Sequence, residues 1–191
     1  MRNLICLVMV INLLLICMPG KSYAYATDSQ SEMEWEYLTP IDNDRDVTTL
    51  SLNILKKIPA KKSNFSSYRG ITITRPRGEI SLNGETRDSS AVGIGPVYMI
   101  RYEPFQSGRM AFSLDMSGGL LLYDKKFPAG GRNYNFMWRI GPQLIYKIGE
   151  NYSVNIGYKL MHVSNGGTIF GKGHNPSYDA KGFSLGILTH F

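Results

Sequence analysis

The sequence predicts an all-β protein, an antiparallel eight-stranded transmembrane β-barrel of the outer membrane. Three observations point there. Apolar and polar residues alternate with the period of two that a strand imposes, over stretches as long as the roughly 9 to 11 residues of a tilted membrane crossing. Aromatic residues gather near the ends of those stretches, at Tyr102, Tyr123, Tyr134, Phe136, Tyr146 and Tyr152, as interfacial girdles do. After the N-terminal segment, no run approaches the roughly 20 apolar residues of a membrane helix. Alternation alone also suits a soluble sandwich with one wet face; strand length and aromatic placement favour the barrel.

The first element reads as a signal peptide over residues 1–26. Met1 and Arg2 give a positive start, Leu4 to Met18 are almost wholly apolar, and Ser22-Tyr23-Ala24 or Ala24-Tyr25-Ala26 offers small residues at the cleavage spacing. An uncleaved anchor is the alternative, although about 15 apolar residues is short for a span. Cleavage removes Cys6 and Cys17, the only two cysteines of the chain. Disulfide scaffolds, zinc-thiolate sites and cysteine nucleophiles are thereby excluded from the mature protein. Lys plus Arg falls from 21 to 19 against 15 acidic residues, so the formal charge drops from +6 to +4, a balance that does not point to nucleic acid.

Residues 27–46 are acidic and polar apart from Trp35, Tyr37, Leu38 and Ile41, and read as a periplasmic lead-in. The barrel is expected over 47–191, with strands near 47–57, 68–75, 79–84, 91–102, 110–123, 134–148, 152–164 and 181–191. In the fourth, Val92, Ile94, Pro96, Tyr98 and Ile100 share a face; in the fifth, Met110, Phe112, Leu114 and Met116 do. The sixth sets Phe136, Trp138, Ile140 and Leu144 against Arg139, Gly141 and Gln143, and the last sets Phe183, Leu185 and Ile187 against Ser184, Gly186 and His190. The chain stops on Phe191 at the end of an alternating strand, which resembles the terminal signal read by the barrel insertion machinery.

Both termini of such barrels lie in the periplasm. Pro76-Arg77-Gly78, Glu103 to Arg109 and Gly149-Glu150-Asn151 become inner turns, and 58–67, 85–90, 124–133 and 165–180 become outer loops. Arg101, Asp115, Arg139, Lys147 and Lys159 fall on the inward face and predict a lumen network, with His190 beside it. Lys56, Lys57, Lys61, Lys62, Lys125, Lys126, Arg132 and Lys172 fall on outer loops, where cations are usually only solvated but are also placed to meet lipid phosphates. About eight strands leave an interior filled by side chains, which argues against a porin.

The seventh strand carries the most informative stretch, YSVNIGYKLMHVSN from Tyr152 to Asn165. Tyr152, Val154, Ile156, Tyr158 and Leu160 occupy one face, and His162 and Ser164 continue it. This strand runs outward, so the imidazole and the hydroxyl are expected on the lipid-facing wall near the outer rim. Polar groups there are costly at mid-depth and much cheaper near the interface. As girdle residues the pair would have no chemical role. His174, in a glycine-rich loop, reads as solvated.

His162-Val163-Ser164-Asn165-Gly166-Gly167, followed by Asn175-Pro176 and an alternating final strand, resembles the outer-membrane lipid A 3-O-deacylase family, whose signature is a His-x-Ser-Asn run in the penultimate strand of an eight-stranded barrel. The similarity covers roughly residues 134–191. It implies an esterase that removes the 3-O-linked acyl chain of lipid A in the outer leaflet. The partners it implies are lipid A of lipopolysaccharide and the outer membrane; a homodimer is left open, and no cofactor or metal is expected. Carried across by position, Ser164 is the nucleophile and His162 its base, and Asn165 with the backbone N–H of Gly167 matches the oxyanion donors.

The acid member departs from the family pattern. The resemblance implies a glutamate at the start of the last strand, where alignment places Lys181, which has no acceptor. Asp179, two residues earlier, takes the role if the strand extends that far; Asn175 is the neutral alternative, and a dyad without an acid is the third. Two other functions compete with the deacylase. One is a non-catalytic small barrel of adhesin or anchor type. The other is a lipid A acyltransferase, which needs catalytic groups facing an acyl pocket inside the barrel. Nothing resembles a dinucleotide fingerprint, a phosphate loop or a paired-histidine zinc site.

Overall fold

A computed structural model describes residues 30–42, 45–60, 64–82, 84–166 and 176–190, with the side chain of residue 190 left out. The expected signal peptide, with Cys6 and Cys17, therefore lies outside the described residues. The described chain forms β1 (Gln30–Pro40), β2 (Arg45–Ile58), β3 (Phe65–Leu82), β4 (Glu85–Asp88), β5 (Gly93–Ser107), β6 (Met110–Phe127), β7 (Arg132–Lys147), β8 (Tyr152–Ser164) and β9 (Tyr178–His190). The sheet runs β2-β1-β9-β8-β7-β6-β5-β3 and closes through β2 against β3, while β4 extends β3 as a short hairpin arm. All neighbours are antiparallel. The result is a closed eight-stranded barrel.

The eight wall strands are not the eight expected. Within the expected lead-in, Gln30–Pro40 is instead a wall strand that joins β9 to β2. The two short strands expected at 68–75 and 79–84 are one continuous β3, and Pro76-Arg77-Gly78 is no turn but pairs with Thr49, Thr48 and Val47. Adding one strand and fusing two leaves the count unchanged but reverses the first hairpins. Residues 58–60 and 64–67 consequently sit at the rim that carries residues 30 and 190, away from the rim that carries Ser164 and Tyr178. Lys56 and Lys57 go to that terminal rim with them, and Lys61 and Lys62 lie outside the described residues.

Proline is tolerated within β3 for a local reason. Residues of a strand direct N–H and C=O to the same side, and the Pro76 carbonyl accepts from Ala91 N at 3.1 Å. The ladder between β3 and β5 has already ended at Thr74 with Gly93. The missing N–H therefore faces a side on which no regular ladder bond is required.

Polarity is inverted relative to a soluble protein. Arg101 is 0% exposed, whereas Leu185 is 58% and Ile156 55% exposed. Among the described residues the lumen holds four carboxylates, Glu32, Glu34, Glu36 and Asp115, with three cations, Arg101, Arg139 and Lys159. Arg101 grips Asp115 through two parallel bonds of 2.9 and 2.8 Å and also reaches Glu32 at 3.0 Å, the fork geometry that makes arginine suited to a buried pair. Arg139 pairs with Glu36 at 3.0 Å, and Lys159 lies 3.2 Å from Glu34 and 3.4 Å from Asp115. Lys147, expected in this network, is exposed at the terminal end of β7. Tyr123, expected in a girdle, turns inward and is 6% exposed.

Toward the rim that carries Ser164 and Tyr178 the interior becomes apolar. Leu38, Val47, Leu121, Phe127, Val163 and Tyr178 are each 0 or 1% exposed and belong to one cluster. Side chains fill this end of the barrel, as expected for so few strands.

Candidate active site

His162 and Ser164 lie on the outer face of β8. The burial pattern alternates strictly from Ser153 to Ser164, with Asn155, Lys159, Met161 and Val163 buried and His162 and Ser164 on the opposite side. Two ladders fix what flanks them. Trp138 is opposite His162 and Phe136 opposite Ser164 on β7, and Asp179 is opposite His162 on β9.

Those registers become contacts. Asp179 Oδ1 stands 2.8 Å from His162 Nδ1, with side-chain exposures of 36% and 25%. An ionised carboxylate only accepts, so the hydrogen sits on Nδ1 and donates to Asp179. In the neutral ring, Nε2 is then left as the acceptor. On the other flank the Trp138 indole stacks on the imidazole, with centroids 5.7 Å apart and planes 24° from parallel. The ring is clamped between an acid and an aromatic face.

The interior holds the same strands from behind. Val163 pairs in register with Tyr178, and both are fully buried. The Tyr178 hydroxyl donates to the Val47 carbonyl at 2.6 Å and lies 3.0 Å from Thr49 Oγ1, and Phe127 meets its ring edge-on at 5.4 Å. Gly182 brings β9 close to β1: a Cβ there would collide with the Tyr37 carbonyl oxygen. The aspartate is thus carried on a strand pinned from both sides.

Of the other expected site residues, Asn165 is 4% exposed and engaged with neighbours. Gly166 has φ +83°, a left-handed conformation that glycine adopts without strain, so the chain turns sharply just after Ser164. Gly167, Asn175 and His174 lie outside the described residues. Lys181 pairs with Leu160, one face step inward from the His162 level; the residue facing the imidazole is Asp179. Trp138 joins the site through register: parity in the sequence places it on the outer face of the neighbouring strand, but the pairing of β7 with β8 is needed to bring it to His162.

The family model described as lipid A 3-O-deacylase (PagL) matches residues 58–187, which is more than half of the chain. The chain belongs to the lipid A 3-O-deacylase family. The match takes in all of β3 to β8 and nearly all of β9, including His162, Ser164 and Asp179. Among solved structures, the crystal structure of the outer membrane enzyme PagL is similar with a TM-score of 0.53 at 15% identity, covering 83% of this chain and 97% of that one. Neisserial surface protein A is similar with a TM-score of 0.53 at 12% identity, covering 85% and 96%. At such identities the structural likeness speaks to the barrel fold. No curated protein sequence matches significantly.

Proposed function

We propose that this protein is an outer-membrane esterase that hydrolyses the 3-O-linked acyl chain of lipid A, with Ser164 as nucleophile, His162 as general base and Asp179 as the acid that orients it. The observation that carries this reading is the 2.8 Å contact between His162 Nδ1 and Asp179 on the outer wall, with Ser164 two residues further along the same face, in a chain of the deacylase family. Membership supports the substrate class, and outward parity supports attack on a lipid beside the barrel.

In this mechanism His162 Nε2 takes the Ser164 proton as the hydroxyl oxygen attacks the ester carbonyl. Asp179 fixes the tautomer and stabilises the imidazolium that forms. Asn165 and the Gly167 backbone N–H are the proposed donors to the tetrahedral oxyanion, a donor of that kind contributing about 10² to 10³ in rate. His162 then gives that proton to the departing sugar oxygen, which leaves as a hydroxyl; water activated by the same imidazole next attacks the acyl-serine, releasing the fatty acid as the proton returns to Ser164. The rim that carries the site faces the outer leaflet, where lipopolysaccharide resides.

The acyltransferase alternative requires an acyl pocket inside the barrel. The interior behind His162 and Ser164 is occupied by Met161, Val163, Tyr178 and Phe127, which favours hydrolysis at the wall. The test is to express the wild type and Ser164→Ala in a heterologous outer membrane and weigh the lipid A. Loss of one hydroxyacyl group in the wild type alone is expected. Identical masses in both would remove the enzymatic reading and leave an inert barrel.

A further inference from the structure

Lys181 is the one cation on the outer wall next to the candidate site among the described residues of β8 and β9. It is exposed, and its register partners are Leu160 on β8 and Thr39 on β1, neither of which is charged. Along its own strand face stand Phe183 on one side and Asp179 on the other. Asp179 is engaged by His162, and among the described residues no carboxylate pairs with the Lys181 ammonium.

Its depth is marked by its neighbours. One face step toward the middle of the wall, Phe183 meets Tyr158 edge-on at 5.3 Å and pairs in register with Tyr37. Such a band of exposed aromatics marks the boundary between hydrocarbon and headgroups. A lysine just beyond that band extends its stem over apolar surface and carries its ammonium outward, toward the level of His162. A lipid-facing cation is expensive at mid-depth and becomes tolerable where anionic headgroups begin.

The two flanks of the site also differ in charge. The β7 flank presents Phe136 and Trp138 at the level of the site, the latter stacked on the imidazole, and its cation on that face, Arg132, stands two face steps beyond Phe136 against Tyr134. The β9 flank presents Lys181. A phosphorylated lipid with its ester carbonyl at Ser164 therefore meets a cation next to the imidazole on the β9 side, while the β7 side holds its cation farther along the strand.

We propose that Lys181 anchors a phosphate of the lipid whose ester reaches Ser164, so that this site selects phosphorylated over dephosphorylated lipid A; the proposal rests on the deacylase reading above. Anchoring on the β9 side fixes which way the sugar lies across β8, and with it which ester meets the nucleophile. A charge-assisted contact at the edge of a membrane supports a preference of about tenfold.

The experiment compares purified full-length wild type, Lys181→Gln and Lys181→Arg on lipid A carrying both phosphates and on the same lipid after dephosphorylation, with folding of each variant checked by its heat-modifiable mobility. The wild type is expected to favour the phosphorylated lipid about tenfold in kcat/KM. Lys181→Gln should erase that preference through KM with kcat retained, leave hydrolysis of the dephosphorylated lipid unchanged, and be rescued by Lys181→Arg. In a Ser164→Ala background, binding of the phosphorylated lipid should weaken by the same factor when Lys181→Gln is added. Equal wild-type kcat/KM on the two lipids would overturn the proposal without any variant. An equal loss on both lipids in Lys181→Gln would overturn it too, because the lysine would then act through Asp179. A wild type inactive on both lipids would remove the deacylase reading itself, and this proposal with it.

Discussion

Replacing Asp179 by asparagine should lower kcat on lipid A by about 10³ to 10⁴ while leaving the barrel folded. The carboxylate accepts the Nδ1–H of His162 at 2.8 Å, which keeps Nε2 free to take the serine proton. An asparagine amide can present N–H to Nδ1 and favour the opposite tautomer, with the hydrogen on Nε2, where it blocks proton transfer. Loss of the orienting acid costs about 10⁴ in a serine triad. The partial exposure of both groups, 25% and 36%, lets other partners compete for Nδ1 and moves the expectation toward 10³, or about 4 kcal/mol of barrier. The same pair contributes less than about 1 kcal/mol to folding, because partly exposed ion pairs are screened. Turnover measured on detergent-solubilised barrel, beside a urea unfolding curve, separates the two quantities. An Asp179→Asn protein with kcat within threefold of wild type would refute the assignment of the acid, and a matching collapse in stability would show that the residue is structural.

Other perturbations probe the support around the site. Trp138→Ala removes the face on which the imidazole stacks and should reduce kcat about tenfold, with Trp138→Phe restoring most of it; unchanged kinetics would show that the indole does not position the ring. Arg101→Met leaves Glu32 without its cation and Asp115 with Lys159 alone, and should destabilise the barrel by about 3–5 kcal/mol, read as a lowered urea midpoint; a shift under 1 kcal/mol would mean that the network tolerates a missing cation. Gly182→Ala forces a methyl against the Tyr37 carbonyl and should cost about 1–3 kcal/mol, seen as a lower temperature of heat modification; a wild-type transition would show that β1 and β9 can separate freely there.

The site was more legible in the sequence than the first third of the fold. His162 and Ser164 share a face with Ile156, Tyr158 and Leu160, and strict alternation with Lys159 and Asn155 is a signal a reader can follow without coordinates. Asp179 follows from the same parity once the last strand is allowed to start at Tyr178. Which of Asp179 and Lys181 faces the imidazole is a matter of register across β8 and β9, and register is set by partners far apart in sequence. The first wall strand was hidden by composition. Glu32, Glu34 and Glu36 alternate with Met33, Trp35 and Tyr37 as cleanly as any later strand, but three glutamates read as a solvated segment until Arg101, Arg139 and Lys159 are known to await them inside. Pro76-Arg77-Gly78 misleads in the other direction. Proline with glycine two residues on reads as a turn, and only the end of the neighbouring ladder explains why an extended strand accepts the proline.

The most direct test of the account is covalent trapping of the nucleophile. Folded barrel in lipid-like micelles should react with a long-chain phosphonate ester probe to give a single adduct on the peptide that carries Ser164, and His162→Ala should abolish the labelling because nothing then accepts the hydroxyl proton. An adduct that maps to another residue, or labelling that persists undiminished without the imidazole, would contradict the assignment of Ser164 and His162 as nucleophile and base.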